Sequence, residues 1–96
     1  MRRLIILPAA RADLREILQF IARDNPTAAQ RVVRRIEQKC RDLVLTPFAG
    51  RDRNELKRAL RSISTANYQI FYMVDDDEVR VVRVLHGRRD IKRQFE

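Results

Sequence analysis

Two runs near the end of the chain restrict its fold more than any other feature. Tyr68-Gln69-Ile70-Phe71-Tyr72-Met73-Val74 and Val79-Arg80-Val81-Val82-Arg83-Val84-Leu85 are rich in β-branched and aromatic residues, and the acidic Asp75-Asp76-Asp77 lies between them. Such runs on either side of a polar turn predict an antiparallel hairpin. At a period of two, Tyr68, Ile70, Tyr72 and Val74 share one face, and Gln69, Phe71 and Met73 the other. In the partner strand, Val79, Val81, Arg83 and Leu85 oppose Arg80, Val82, Val84 and His86. Both faces carry apolar groups, so each needs a cover.

One cover lies upstream. After a first strand over Leu4 to Leu7, Pro8 suits a helix start. Ala10, Leu14, Ile17 and Ile21 then recur at the spacing of one helical face, with Arg11, Arg15, Gln19 and Arg23 opposite. Asp24-Asn25-Pro26 ends this helix and begins another, with Asn25 as N-cap and Pro26 at the first helical position. The second helix turns Ala29, Val32, Val33, Ile36, Cys40 and Leu43 inward and Arg31, Arg34, Arg35, Gln38 and Arg41 outward, and ends near Thr46-Pro47. The short connection makes an αα-hairpin. Its outward arginines are either a solvated face or a docking surface.

Phe48 to Glu55 reads as a loop leading into a strand around Ala59 to Ser64. The order is β-α-α-β-β-β: one α+β domain over residues 1–96, with a helical hairpin packed on one face of a small antiparallel sheet. The second face is left to the tail, where Ile91 and Phe95 fall on one side of a helical turn, or to a partner.

A 96-residue chain has a modest core, and its formal net charge of +8 predicts an acidic partner without naming it. The lone cysteine, Cys40, excludes a disulfide framework within one chain and reads as a buried thiol. No apolar stretch approaches the roughly 20 residues of a membrane span. The apolar part of the start is too short for a signal peptide, so the expectation is a cytoplasmic protein with no membrane partner. His86, Cys40 and the acidic turn lack metal-ligand spacing, and neither a phosphate-binding glycine loop nor a nucleophile elbow occurs, so no metal and no cofactor is expected.

The only histidine, His86, ends the second hairpin strand beside Gly87, with Arg83, Arg88 and Arg89 close in sequence. A histidine so placed could serve as general acid or base on a phosphodiester, with arginines holding the phosphate, or could simply secure the strand end. Arg61, with Arg51, Arg53, Lys57 and Arg58 before it, could meet Arg83 at one sheet edge as an anion site, or stand solvated. Glu55 and Asp52 are the nearby carboxylates.

The order of several short pieces resembles the RelE/ParE superfamily of bacterial toxins from type II toxin-antitoxin systems, and the ParE branch most. The pieces are Leu7-Pro8-Ala9-Ala10 with Asp13-Leu14 and Ile17, Asp24-Asn25-Pro26 with Ala28-Ala29, Pro47, Gly50-Arg51, Glu55-Leu56, Leu60-Arg61-Ser62, Tyr68-Gln69-Ile70-Phe71-Tyr72 and Arg83 to Asp90. The resemblance implies two helices on a small antiparallel sheet and a toxin neutralised by a cognate antitoxin, ParD-like or similar, in a hetero-oligomer that alone brings it to DNA. ParE-like members are understood to inhibit DNA gyrase; RelE-like members cleave messenger RNA on the ribosome without a metal.

The ribonuclease reading would give Arg61 and Arg83 to phosphate binding, His86 to acid/base work and Glu55 to the base. However, Gly87 stands where some ribonuclease members carry an aromatic residue, and the loop is arginine-rich, with Lys57 its only lysine. The ParE-like reading is favoured: no catalytic residues, with Arg61, Arg83, His86, Arg88 and Arg89 as target-binding candidates. A DNA-binding protein is the third reading, but the arginines lack a helix-turn-helix or basic-zipper context.

Overall fold

The computed structural model describes every residue from Met1 to Glu96. Its elements are β1 (Arg3–Ile6), α1 (Pro8–Ala22), α2 (Pro26–Leu45), β2 (Arg51–Asp52), β3 (Arg61–Thr65), β4 (Tyr68–Val74), β5 (Glu78–His86) and α3 (Ile91–Gln94). The α+β order expected from periodicity is present, with the two-residue β2 added in the loop. Both helix starts follow local chemistry: each has proline in its first turn, and the Asn25 side chain accepts the Ala28 N–H at 3.0 Å.

The five strands lie in the order β1-β5-β4-β3-β2. Neighbours from β2 to β5 are antiparallel, but β1 runs parallel to β5, so the sheet is mixed. By pairing with β5, β1 covers an edge that would otherwise expose a row of unpaired N–H and C=O groups. On one face, Ala10, Leu14 and Ile17 of α1 and Ile36, Cys40 and Leu43 of α2 pack on Ile70, Tyr72, Val79, Val81 and Val84. Ile21, Val32 and Val33 lie at the margin of this cluster, half-buried.

Strict alternation fails at one point in β5. Phe71 is paired with Arg83 but Tyr72 with Val81, so Val82 has no opposite residue and the strand bulges there. The extra residue reverses the phase beyond it. Val84 joins Val79 and Val81 under the helices, whereas Leu85 joins Val82 on the other face, opposite to the assignment that alternation predicts.

That other face is closed from within the chain. Leu60, Phe71 and Leu85 are buried there, surrounded by Leu56, Met73, Val82, Ile91 and Phe95. The Phe71 and Phe95 rings lie 5.0 Å apart, so the tail, rather than a partner, covers the surplus apolar surface. The loop before β3 is anchored by Tyr72, whose hydroxyl donates to the Pro47 carbonyl and accepts the Gly50 N–H, both at 2.8 Å. The strand expected near Ala59 begins later, at Arg61, because Ala59 adopts a left-handed turn with φ 65° and donates its N–H to Asn54 Oδ1. No helix is long and apolar enough to cross a membrane.

Cys40 is fully buried in this core, and burial is the main cause that pushes its thiol up from 9.0 to about 11. The unfolded thiol therefore ionises first as pH rises, so this group's contribution to stability falls between those two values and stays lost above them. At pH 8, native protein is expected to resist a thiol-labelling reagent until denaturant opens the core. Prompt labelling without denaturant would remove Cys40 from the interior.

Candidate functional site

The sheet end where β5 stops is the most featured part of the surface. His86 pairs across the ladder with Tyr68, and their rings meet edge to face at 5.2 Å. The chain then turns, with Gly87 N–H donating to the Asn67 carbonyl and Arg89 N–H to the His86 carbonyl, both at 3.0 Å. Arg88 N–H donates to His86 Nδ1 at 3.1 Å, which leaves the proton of the neutral imidazole on Nε2. Alongside runs α1, and the hollow between them is lined by Glu16, Ile17, Phe20, Tyr68, His86 and Arg89 among others. Phe20 is 66% exposed. It was not singled out in the sequence, although an aromatic residue off the core stripe of α1 is the signal that could have found it.

Arg83 is occupied by the fold. Its Nε and Nη2 donate to the two carboxylate oxygens of Asp13 at 2.8 and 2.9 Å, and Val84 N–H donates to the same carboxylate at 2.9 Å. Asp13 is only 6% exposed, and its hydrogen bond holds the guanidinium pKa above the ordinary value. Asp13 falls three residues after Ala10 and beside Leu14 on the inward stripe of α1, so a buried carboxylate in need of a cation was visible there, but its partner was not.

Arg61 and Glu55 are held elsewhere. Arg61 Nη1 donates to the Gly50 carbonyl at 2.8 Å, with its guanidinium 5.0 Å from the Phe48 ring, and Arg2 approaches the same ring at 5.7 Å. Glu55 accepts from Arg53 Nε at 2.9 Å, and this bond is the main cause that lowers its carboxyl pKa. Arg53 is itself buried, donating also to Ser62 Oγ and Gln69 Oε1 and lying over Phe71, so it belongs to the structure rather than to a free basic loop.

Arg61 stands opposite Tyr72 on β4, and His86 opposite Tyr68. Four residues along a strand are about 13 Å and two strand spacings about 10 Å, so their Cα atoms are roughly 16 Å apart. Arg61 and His86 therefore do not converge, and Arg83 and Glu55 are each engaged by a side chain of the fold, Asp13 and Arg53. Arg88 and Arg89 are exposed, and Arg89 shares the hollow with His86 and Phe20.

Two long helices on a five-stranded mixed sheet, with the basic side chains dispersed over it, define a small basic α+β protein. A chain of the chromosomal ParDE TA system from P. aeruginosa has the same fold, with a TM-score of 0.76 at 22% identity over 90% of this chain and 96% of that one. The chain belongs to the family described as "ParE toxin of type II toxin-antitoxin system, parDE", whose model matches residues 4–91. It is 30% identical to Toxin ParE3 of Caulobacter vibrioides over 96 residues, 99% of this chain and 96% of that protein. It is 31% identical to Toxin ParE1 of Mycobacterium tuberculosis over 95 residues, 97% of each. Toxin RelE2 of Caulobacter vibrioides is 35% identical over 80 residues, 83% of this chain and 89% of that protein.

Proposed function

We propose that this ParE-family toxin inhibits DNA gyrase by surface contact in the bacterial cytoplasm and is neutralised by a ParD-like antitoxin in a hetero-oligomer. The observation that carries the reading is the dispersal of the polar candidates. Acid/base cleavage of a phosphodiester needs the proton-transfer group and the cations within hydrogen-bond reach of one reacting centre. Here Arg83 holds Asp13, Arg61 holds the Gly50 carbonyl, Glu55 holds Arg53, and His86 stands apart from Arg61. What faces outward around His86 is Phe20 and Arg89, an aromatic and a cation of the kind that anchors protein interfaces. The net charge of +8 suits an acidic antitoxin segment.

The likeness to Toxin RelE2 keeps a second reading, a metal-independent messenger-RNA endoribonuclease acting on the ribosome. The two make opposite demands on His86. A ribonuclease using it for proton transfer loses about two to four orders of magnitude in rate on His86→Ala. We expect the wild type to block gyrase supercoiling and to leave ribosome-bound message uncut, and folded His86→Ala to stay toxic. Site-specific cleavage abolished by His86→Ala would replace this reading with the second one.

A further inference from the structure

We infer that the outer face of α2 docks on the phosphate backbone of duplex DNA. Arg31, Arg34, Arg35 and Arg41, with Gln30 and Gln38, line a shallow hollow along this helix that includes no apolar residue. All four arginines are exposed, and none forms a salt bridge, whereas Arg3, Arg53, Arg80 and Arg83 each hold a carboxylate. Arg41 donates to Gln38 Oε1, and Gln38 in turn donates to Asp42, so this acid is engaged by an amide rather than by an arginine; Glu37, four residues before Arg41, is the other acid of the helix. Like charges at three- and four-residue spacing repel along a helix, so this face is a standing cost to the isolated chain that a polyanion removes.

The chemistry of the lining selects the occupant. Protein interfaces have an apolar core, and this face has none; Phe20 and Phe48 are exposed on other elements, and Leu45 lies outside the hollow. Protein–DNA interfaces are polar and strongly positive, and their phosphate contacts come from arginine and from amide side chains of this kind. Single strands need aromatic platforms, which the hollow lacks, and the major groove of an RNA duplex is too deep and narrow to admit side chains. Arg31 and Arg41 are about 15 Å apart along the helix axis, which with side-chain reach spans a B-form major groove of about 12 Å. The family resemblance implies DNA contact only through the antitoxin; this face provides a direct one. The inference does not rest on gyrase as the target.

The test is anisotropy of a labelled random-sequence DNA duplex titrated with the purified chain between about 50 and about 200 mM salt. Contact with four phosphates gives a slope of log K against log salt of about −3.6, and Arg31→Gln/Arg34→Gln/Arg41→Gln is expected to reduce its magnitude by about 2.7. A control with the same charge loss elsewhere, Arg51→Gln/Lys57→Gln/Arg58→Gln, is expected to keep the wild-type slope to within about one. Equal loss in both variants would mean diffuse charge and overturn the proposal, as would no duplex binding at the lowest salt. Poly-glutamate is titrated in parallel. If the α2 variant loses poly-glutamate binding but keeps duplex binding, the face takes an acidic protein and the proposal fails.

Discussion

Asp13→Ala is expected to destabilise the fold by about 3 to 5 kcal/mol, because it leaves a guanidinium without its counter-charge and a buried N–H without an acceptor. The Arg83 side chain is 23% exposed, so water relieves part of the loss and the value should lie toward the low end of that range. Even so, this is a large share of the roughly 5 to 15 kcal/mol that holds a small domain. Adding Arg83→Met removes the stranded charge, so the double variant should recover part of the loss. Denaturant midpoints of the wild type, both single variants and the double variant measure the coupling. Midpoints that add without coupling would mean that the carboxylate and guanidinium contribute independently. This pair also affects how toxicity is read: lost toxicity in Arg83→Ala is first a folding effect, and it speaks to target contact only after stability is matched.

Gly50→Ala is the second large effect. A Cβ built on Gly50 would lie 2.4 Å from the Tyr72 hydroxyl and 2.8 Å from the Ser62 carbonyl oxygen. Tyr72 is fully buried, and its hydroxyl bridges the Gly50 N–H and the Pro47 carbonyl, so it cannot move without breaking both bonds. Overpacking costs about 1 to 3 kcal/mol and each lost hydrogen bond about 1 kcal/mol, so the expected loss is about 3 to 5 kcal/mol. Because Arg61 donates to the Gly50 carbonyl, the loop carrying Phe48 should loosen too, and hydrogen exchange around Gly50 should accelerate. Tyr72→Phe removes the closest clash, so combining it with Gly50→Ala should cost less than the two changes summed. A Gly50→Ala protein with the wild-type midpoint would show that the loop yields freely there.

By contrast, the sequence carried no mark of the clash at Gly50, since a glycine in a loop reads as a turn. The need arises from a tyrosine 22 residues away whose hydroxyl occupies the space a side chain would take. His86 and Arg89 were legible as neighbours because they lie within one turn, and the hairpin places them together locally. The place of Phe20 beside them depends on how α1 is laid across β5, which no local pattern encodes.

The sequence by itself determined the two long helices and their inward stripes, the Asn25 cap and the β4–β5 hairpin. These follow from periodicity and from capping chemistry acting over a few residues. Only the tertiary structure decided that β1 would lie parallel beside β5, that Val82 would bulge, that Arg53 would be buried, and that Ile91 and Phe95 would dock on the second face. It also decided that Arg83 would bind Asp13, 70 residues earlier, rather than face a target. Each of these is a contact between segments remote in sequence, whose free energy exists only once both have been brought together, so no local pattern records it.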